Sequence, residues 1–218
     1  MTHVPHPETP PTEPTPAAPT PTGPPPGRRT GGRIRSEDAR SAVLAAAIEL
    51  IEDLGYQGVT VERVAARSGV AKSTIYRWWR SKAPLVMDAY RSAVAQRMPE
   101  PDTGSVADDL TVFATAMYRV TAHPTRVRTL RGLMAEAQLD PEFAEQFRAW
   151  VQSRRTVVLT ALARGVQRGE LAPAIDLEAA TDQFFGLFWY RLLVEHQPLE
   201  PAAAPAHVRQ LLNGLRAR

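Results

Sequence analysis

The densest group of side chains able to bind a charged partner lies between Lys72 and Lys82. This segment combines ammonium and guanidinium groups with hydroxyls and aromatic hydrogen-bond donors, and it contains no carboxylate. Such donors suit the phosphate oxygens of DNA and the base edges exposed in its major groove. The segment therefore predicts a nucleic-acid contact. An ordinary helical hairpin with a polar outer surface is the alternative that spacing alone leaves open.

Side chains typical of enzymes are sparse in this chain. The chain has five histidines, which are His3, His6, His123, His196 and His207. None of them has the spacing of a metal site with a carboxylate partner. Cysteine is absent, which excludes disulfides, thiolate zinc sites and cysteine nucleophiles. Neither a phosphate-binding glycine loop nor a nucleophile elbow occurs. We therefore expect no enzyme activity, no catalytic residue, no bound metal and no cofactor.

Positive charge is concentrated in the first part of the chain. Eleven Lys and Arg residues stand against six Asp and Glu residues from Arg28 to Lys82, whereas the whole chain has a net charge of only +3. This distribution favours a partner that carries phosphates, although a solvated basic surface would have the same composition. No apolar run is long enough to span a membrane, and the N-terminus has no apolar signal core. We therefore expect a cytoplasmic protein with no membrane partner.

Two segments without a helical pattern precede the first predicted helix. Residues 1–27 hold eleven prolines between Pro5 and Pro26, which predicts a disordered tail of polyproline II character. Residues 28–35 form a basic arm with four arginines and two glycines. Such an arm can follow a minor groove or the phosphates, and a merely basic linker is the equal alternative.

From Ser36 onward apolar residues recur at helical spacing, and no alternating strand pattern appears. Ser36 is the expected N-cap of the first helix, and Gly55 is its expected end. Prolines and glycines separate further predicted helices at about 61–68, 72–79, 83–98, 105–122, 125–138, 141–168, 177–196 and 205–216. The sequence therefore predicts an all-α fold of about nine helices.

Residues 60–79 have the pattern of a helix-turn-helix motif, in which two short helices are joined by a glycine-containing turn. Thr60 is placed to cap the first helix, and Gly69 can adopt the positive φ that the turn requires. The side chains expected to point inward from the two helices are Val61, Val64, Ala65, Ile75 and Trp79.

The second helix of such a motif enters the major groove, so its outward residues are the candidate DNA contacts. Lys82, at the start of the next helix, is expected to add a phosphate contact together with that helix's N-terminal amides. The outward residues of the second helix are Lys72, Ser73, Thr74, Tyr76, Arg77 and Trp78.

Residues 36–85 resemble the N-terminal domain of TetR-family transcriptional regulators. The resemblance rests on the apolar first helix, the stretch from Gly58 to Ala65, the turn Gly69-Val70, and the run Thr74-Ile75-Tyr76-Arg77 followed by Ser81-Lys82. Trp78 stands where the family often has His or Tyr, Trp79 replaces the commoner Phe, and Arg80 replaces a common Pro. By position, the resemblance implies DNA contacts from Thr60, Lys72, Ser73, Thr74, Tyr76, Arg77 and Lys82.

The resemblance implies an all-α homodimer with a small three-helix DNA-binding domain at residues 36–82 and a larger helical domain for ligand binding and dimerisation at residues 83–218. A dimer of this kind binds a roughly palindromic operator in double-stranded DNA. The family implies a repressor that a small apolar or amphipathic ligand releases. A DNA-binding helical dimer without a ligand and a dimerisation or adaptor protein are the alternatives.

The segment 184–194 is apolar nearly all round, which a surface helix with one buried face does not need. A helix with two apolar sides must bury one of them against its own core and the other against a partner. The last helix carries apolar residues at helical spacing and can join the same interface. The predicted interface consists of Phe185, Trp189, Leu192, Leu193, Leu211, Leu212 and Leu215.

The central helices are expected to enclose an apolar cavity, because the TetR-family pattern implies one. Met and aromatic side chains suit adaptable apolar pockets, although any one of them can equally be an ordinary core residue. The candidates for the lining are Phe113, Met117, Met134, Phe147, Trp150, Phe184 and Phe188.

Overall fold

The computed structural model describes residues 30–95 and 97–215, and the side chains of residues 36–95 and 97–215. These residues form nine α-helices and one short 3₁₀ helix, which confirms the all-α prediction. The α-helices are α1 (Thr30–Gly58), α2 (Val61–Ser68), α3 (Lys72–Trp78), α4 (Lys82–Ala95), α5 (Val106–Thr121), α6 (Pro124–Leu139), α7 (Pro141–Gln167), α8 (Leu177–Val194) and α9 (Ala204–Asn213), with the 3₁₀ helix at Pro201–Ala203.

The first helix begins earlier than the sequence pattern predicts. It includes Thr30–Arg35, so the prediction that Ser36 caps the helix is wrong, as is the prediction that residues 30–35 lie outside it. Ser36 with the two acids that follow it has the composition of a cap, but an exposed stretch inside a longer helix tolerates the same residues. The predicted tail at residues 1–27, with Arg28 and Arg29 of the basic arm, lies outside the described residues.

The predicted break at Gly55 is present inside α1. Gly55 has φ 69° and ψ −176°, a backbone conformation that a side chain would make costly. The chain therefore changes direction there, and it continues helically only to Gly58. The break directs Tyr56 and Val59 into the core, where both are buried.

Local capping explains why the long helices start where they do. The side chain of Asp140 accepts hydrogen bonds from the backbone N–H groups of Glu142 and Phe143 at the start of α7. Asp176 does the same for Glu178 and Ala179 at the start of α8. Each carboxylate satisfies amides that the helix itself leaves unpaired, and it lies at the positive end of the helix dipole.

The three N-terminal helices are packed closely against the rest of the chain along α1 and α6. Gly132 on α6 allows this approach, since a Cβ atom there would lie 2.5 Å from Cγ of Tyr56. The Tyr56 hydroxyl donates a hydrogen bond of 2.9 Å to Glu136, one turn further along α6. The region of the helix-turn-helix is thus attached to the central helices by packing and by a specific polar contact.

A buried ion pair fixes the connection between α4 and α5. Asp109 is fully buried, and its carboxylate accepts from Arg164 at 3.2 Å and from the backbone N–H and hydroxyl of Thr103. Arg164 also donates to the carbonyl of Pro101 at 2.6 Å. A buried carboxylate needs such partners because desolvation would otherwise be costly. Sequence reasoning missed this contact, since its two charged residues are far apart in the chain.

Candidate nucleic-acid interface and apolar cavity

The first helix of the motif, α2, is built as the sequence predicts. Thr60 has an extended backbone, and its hydroxyl accepts a hydrogen bond of 3.2 Å from the N–H of Arg63. Val61 and Val64 are buried. Gly69 ends the helix with φ 71° and ψ 6°, and open space surrounds the position of its absent Cβ atom. The backbone conformation, and not crowding, is therefore the reason for glycine in this turn.

The second helix, α3, is held in place by two inward residues. Ile75 is fully buried, and Trp79 is almost fully buried. The indole N–H of Trp79 donates to Asp88 on α4 at 2.9 Å, and Arg40 on α1 lies over the ring while pairing with the same carboxylate at 3.1 Å. This arrangement fixes the orientation of α3 on the helices behind it.

The outer side of α3 carries the side chains that the sequence assigns to DNA contact. Lys72, Ser73, Tyr76 and Arg77 are exposed, whereas Thr74 and Trp78 are half-buried. Among the described residues no carboxylate pairs with Arg77, so its guanidinium is available to an outside anion. Whether these side chains contact DNA stays a prediction, but they share one accessible surface.

One acid lies beside this surface, on α2. Glu62 accepts from Lys72 at 3.4 Å, and both side chains are exposed. The pKa of Glu62 is lowered by a hydrogen bond from its own backbone amide and also by the hydrogen bond from Lys72. Lys72 must leave Glu62 to bind a phosphate. Glu62 belongs to α2, so the acid-free sequence of the second helix gives no sign of this competitor.

Lys82 is less accessible than its predicted role suggests. Its ammonium lies 4.0 Å from the centre of the Tyr56 ring and donates to the Tyr56 carbonyl at 3.5 Å. Partial burial lowers the pKa of Lys82, and nearby Glu136 opposes that effect. The side chain is therefore linked to the contact between Tyr56 and α6, and it would have to extend outward to reach a phosphate.

Arg80, which stands where the family commonly has a proline, forms an ion pair within the chain. Its guanidinium lies 3.6 Å from the carboxylate of Glu142 at the start of α7, with both side chains largely exposed. Trp78 packs edge-to-face on Trp79 at 5.7 Å between ring centres. The half-buried indole of Trp78 thus contributes to holding α3 as well as to the outer surface.

An apolar cavity of about 40 Å³ lies among α4, α5, α6, α7 and α8. Four of the seven residues predicted to line it do so: Phe113, Met117, Trp150 and Phe188. The prediction is wrong for Met134, Phe147 and Phe184, which pack into the core without lining the cavity. Helical spacing cannot decide this, because neighbouring apolar faces of one helix turn toward different partners. Residues missed include Tyr90, Phe185 and Arg154.

The predicted dimer interface is changed by the packing of α8 and α9 within one chain. Phe185, Leu192 and Leu212 are buried in the chain's own core, so a partner could not cover them. Leu193 is 48% exposed, and Trp189, Leu211 and Leu215 are half-buried. The outward apolar side of α8 also includes Tyr190 and Val194, at 59% and 55% exposure. The sequence predicted that α8 is apolar on two sides, but it did not show which side is buried in the chain's own core.

Two short helices joined at a left-handed glycine, with an acid-free outer side on the second, define a helix-turn-helix transcriptional regulator. Residues 43–89 match the family model described as bacterial regulatory proteins of the tetR family, and residues 100–211 match that of the tetracyclin repressor-like C-terminal domain. The chain belongs to the tetR family of transcriptional regulators, as the motif predicted.

Known relatives support this assignment over most of the chain. The HTH-type transcriptional regulator YdeS of Bacillus subtilis (strain 168) is 36% identical over 188 residues, which are 85% of this chain and 94% of YdeS. The crystal structure of the TetR family regulator SCO0332 has 35% identity and a TM-score of 0.71, covering 83% of this chain and all of that one. FadR of Bacillus subtilis, crystallised with stearoyl-CoA, shares the fold at 20% identity and a TM-score of 0.65, covering 80% and 98%.

The relatives are named as regulators and not as enzymes. Within the part of the chain that the structure describes, no group of three or more His, Asp or Glu side chains is arranged to hold a metal ion. In that same part, no helix is both long and apolar enough to cross a membrane.

Proposed function

We propose that this regulator is a homodimeric repressor that binds a palindromic operator and is released from it by a small apolar or amphipathic ligand. The observation that carries the proposal is the outer side of α3, which presents exposed cations and hydroxyls and has no acid of its own. The Arg77 guanidinium has no ion-pair partner among the described residues. Such a helix fits a major groove, with Arg suited to guanine edges or phosphates.

In this proposal, one set of residues recognises the base sequence of the operator and another set binds the DNA phosphates. Ser73, Tyr76 and Arg77 lie on the exposed side of α3, which would face the base edges. Thr60 and Lys82 lie at the starts of α2 and α4, where helix N-terminal amides favour phosphates. The first set should determine which operator is bound, and the second should strengthen binding to any DNA.

Dimerisation is supported by an unusual position on α8. Gly186 lies in the middle of the helix and is exposed, and a Cβ atom there would meet none of the described residues within 4 Å. Glycine lowers helix stability by about 1 kcal/mol relative to alanine, and no contact in the described part of the chain requires it here. A closely approaching partner helix does account for it, because Tyr190 and Val194 on the same side are exposed and apolar.

An effector site is supported by the apolar cavity, which lies between α4, the first helix after the motif, and α8. Its volume of about 40 Å³ is far below the roughly 300–1,000 Å³ of ordinary ligand sites, so a ligand must widen it. Widening would displace α4 or α6, and both helices contact the DNA-binding region. A ligand that prefers the widened form would then shift the population away from the DNA-binding form. FadR, with stearoyl-CoA bound, is an example of a protein of this fold that holds an acyl ligand.

Selection from a random duplex library tests the proposal. We expect enrichment of an inverted repeat whose half-sites are about 10 base pairs apart, or a multiple of that spacing. With the selected duplex, Arg77→Ala should lose sequence preference, and Lys72→Ala should weaken binding to all duplexes and flatten the dependence on salt. Arg148→Ala, an exposed change on α7, is the matched control. Failure to enrich any sequence, or enrichment without symmetry, would overturn the proposal.

A further inference from the structure

The apolar cavity has one charged group on its wall. Fourteen residues from α4 to α8 line it, and nearly all are aliphatic, aromatic or methionine. The hydroxyl of Thr121 is already used, since it lies within hydrogen-bond distance of the carbonyls of Met117 and Tyr118 on its own helix. Arg154 on α7 is half-buried and is the charged residue among the fourteen, whereas Tyr90, Trp150 and Trp189 carry only neutral donors.

Arg154 differs from the other partly buried arginines of α7. Arg155, the next residue, pairs with both Glu178 and Asp182 on α8. Arg164 pairs with Asp102 and with the buried Asp109. Among the described residues no carboxylate lies within ion-pair distance of Arg154, and its one side-chain hydrogen bond is from Nε to the neighbouring Ser153 hydroxyl at 3.3 Å. The protein therefore fixes Arg155 and Arg164 but leaves the Arg154 guanidinium without an anion.

We propose that the effector is an apolar chain with a single anionic end group, and that Arg154 binds this group while the chain fills the cavity. This inference rests on the proposed effector site and names its ligand class. An uncharged ligand would leave a half-buried guanidinium beside apolar groups without a partner, which is unfavourable. A ligand with several charges would have to bury some of them against side chains that cannot pair with them.

The small volume of the cavity favours a narrow chain over a bulky ring system. Its volume of about 40 Å³ is enough for only a few water molecules, so the ligand must enter by moving side chains apart. Met98 and Met117 lie in the wall, and unbranched thioether side chains adjust more readily than branched ones. A linear chain needs the smallest cross-section, and the place of Arg154 on α7 sets the end of the cavity at which its anion lies.

The test compares ligands that differ only at the end group. Dodecanoate, dodecyl phosphate and 1-dodecanol are titrated into the full chain while tryptophan fluorescence is followed, because Trp150 and Trp189 line the cavity. We expect at least one of the two anions to bind about tenfold or more tightly than the alcohol, since a charge-assisted hydrogen bond is strong. The two anions distinguish a carboxylate from a phosphate as the end group.

Substitution of the arginine completes the test. Arg154→Gln should lose the preference for the anion and leave the affinity for 1-dodecanol unchanged, whereas Arg148→Gln, exposed on the same helix, should change neither. Equal binding of anion and alcohol to the wild type, or an unchanged preference in Arg154→Gln, would overturn the inference and leave an uncharged effector possible. Dodecanoate binding through Arg154 without release of the operator duplex would support the inference and contradict the proposed mechanism of release.

Discussion

The hydroxyl of Tyr56 donates a hydrogen bond of 2.9 Å to the carboxylate of Glu136, and it thereby joins the region of the helix-turn-helix to α6. The Lys82 ammonium lies over the ring of the same tyrosine, in a cation–π contact. One residue therefore contacts both a predicted phosphate-binding side chain and a helix that borders the cavity. In the proposed mechanism, contacts of this kind would transmit a change at the cavity to the DNA-binding surface.

Removing this hydroxyl should weaken the attachment of the motif to α6. For Tyr56→Phe we expect the free energy of unfolding to fall by about 1–2 kcal/mol, because a part-buried hydrogen bond to a carboxylate is lost while the ring remains. Urea denaturation measures the change. Tyr76→Phe, at an exposed position on α3, is the control, and an equal loss in both variants would show that the Tyr56 hydroxyl does not stabilise the fold.

The close contact between Gly132 and Tyr56 gives a second prediction. A Cβ atom at position 132 would lie 2.5 Å from the ring, so Gly132→Ala should destabilise the protein by about 1–3 kcal/mol although alanine favours a helix. In a Tyr56→Ala background the clash is absent, and the same change should become neutral or stabilising by up to about 1 kcal/mol. The double-mutant cycle would contradict this account if Gly132→Ala had the same effect in both backgrounds.

The pairing of Lys72 with Glu62 predicts a variant that binds DNA more tightly. Glu62→Gln removes a negative charge beside the DNA-binding surface and releases the Lys72 ammonium. We expect the affinity for the selected duplex to rise about two- to fivefold at low salt, and the gain to shrink as salt is added. Fluorescence anisotropy measures both. Glu145→Gln on α7 should have no effect, and a reduced affinity in Glu62→Gln would show that the acid orients Lys72 for DNA instead of competing with it.

Buried tyrosines predict a loss of stability at alkaline pH. Burial raises the pKa of Tyr118 from 10.0 to about 12, and burial also raises the pKa of Tyr56 and of Tyr90. Below pH 10 both states keep these phenols protonated, so they do not make stability depend on pH. Above pH 10 the unfolded chain releases protons that the folded chain retains, and the free energy of unfolding should fall.

The alkaline loss can be assigned to a residue by substitution. Tyr118→Phe also removes the contact with His207 Nδ1 at 2.5 Å, so it should lower stability at all pH values but give a shallower decline between pH 10 and 12. Urea denaturation at a series of pH values measures the slope. An identical slope in both proteins would mean that Tyr118 ionises in the folded state as easily as in the unfolded chain.

Features set by a few neighbouring residues could be predicted from the sequence. The break at Gly55, the cap at Thr60, the turn at Gly69 and the inward side chains of α3 depend on backbone preference and helical spacing, and all are present. The start of α1 could not be placed, because a cap-like sequence at Ser36 also fits inside an exposed helix.

Features that join distant segments could not be predicted. Asp109 and Arg164 are 55 residues apart, and Tyr56 and Glu136 are 80 apart, so no local pattern connects them. For the same reason, the sequence could not show which apolar residues line the cavity and which sides of α8 and α9 are left exposed. Phe184 and Phe185 are adjacent and both buried, yet only Phe185 lines the cavity. Their roles depend on which helices pack against each side of α8, and a single sequence does not contain that information.

Gly186 offers the sharpest test of dimerisation. The described residues of one chain leave open space for a larger side chain at this position, and a helix gains about 1 kcal/mol when alanine replaces glycine. Gly186→Leu should therefore leave the isolated chain folded. If a partner helix packs on the exposed side of α8, leucine would force the two helices apart and weaken the dimer. Analytical ultracentrifugation should then find a monomer at concentrations where the wild type is a dimer.

Operator binding by Gly186→Leu should fall in parallel, because one monomer contacts a single half-site. Ala135→Leu, which introduces the same side chain at an exposed position on α6, should keep both the dimer and the affinity for DNA. A Gly186→Leu protein that still dimerises with wild-type affinity would exclude this side of α8 from the interface. The two subunits would then have to meet through another surface, and the glycine at position 186 would need a different explanation.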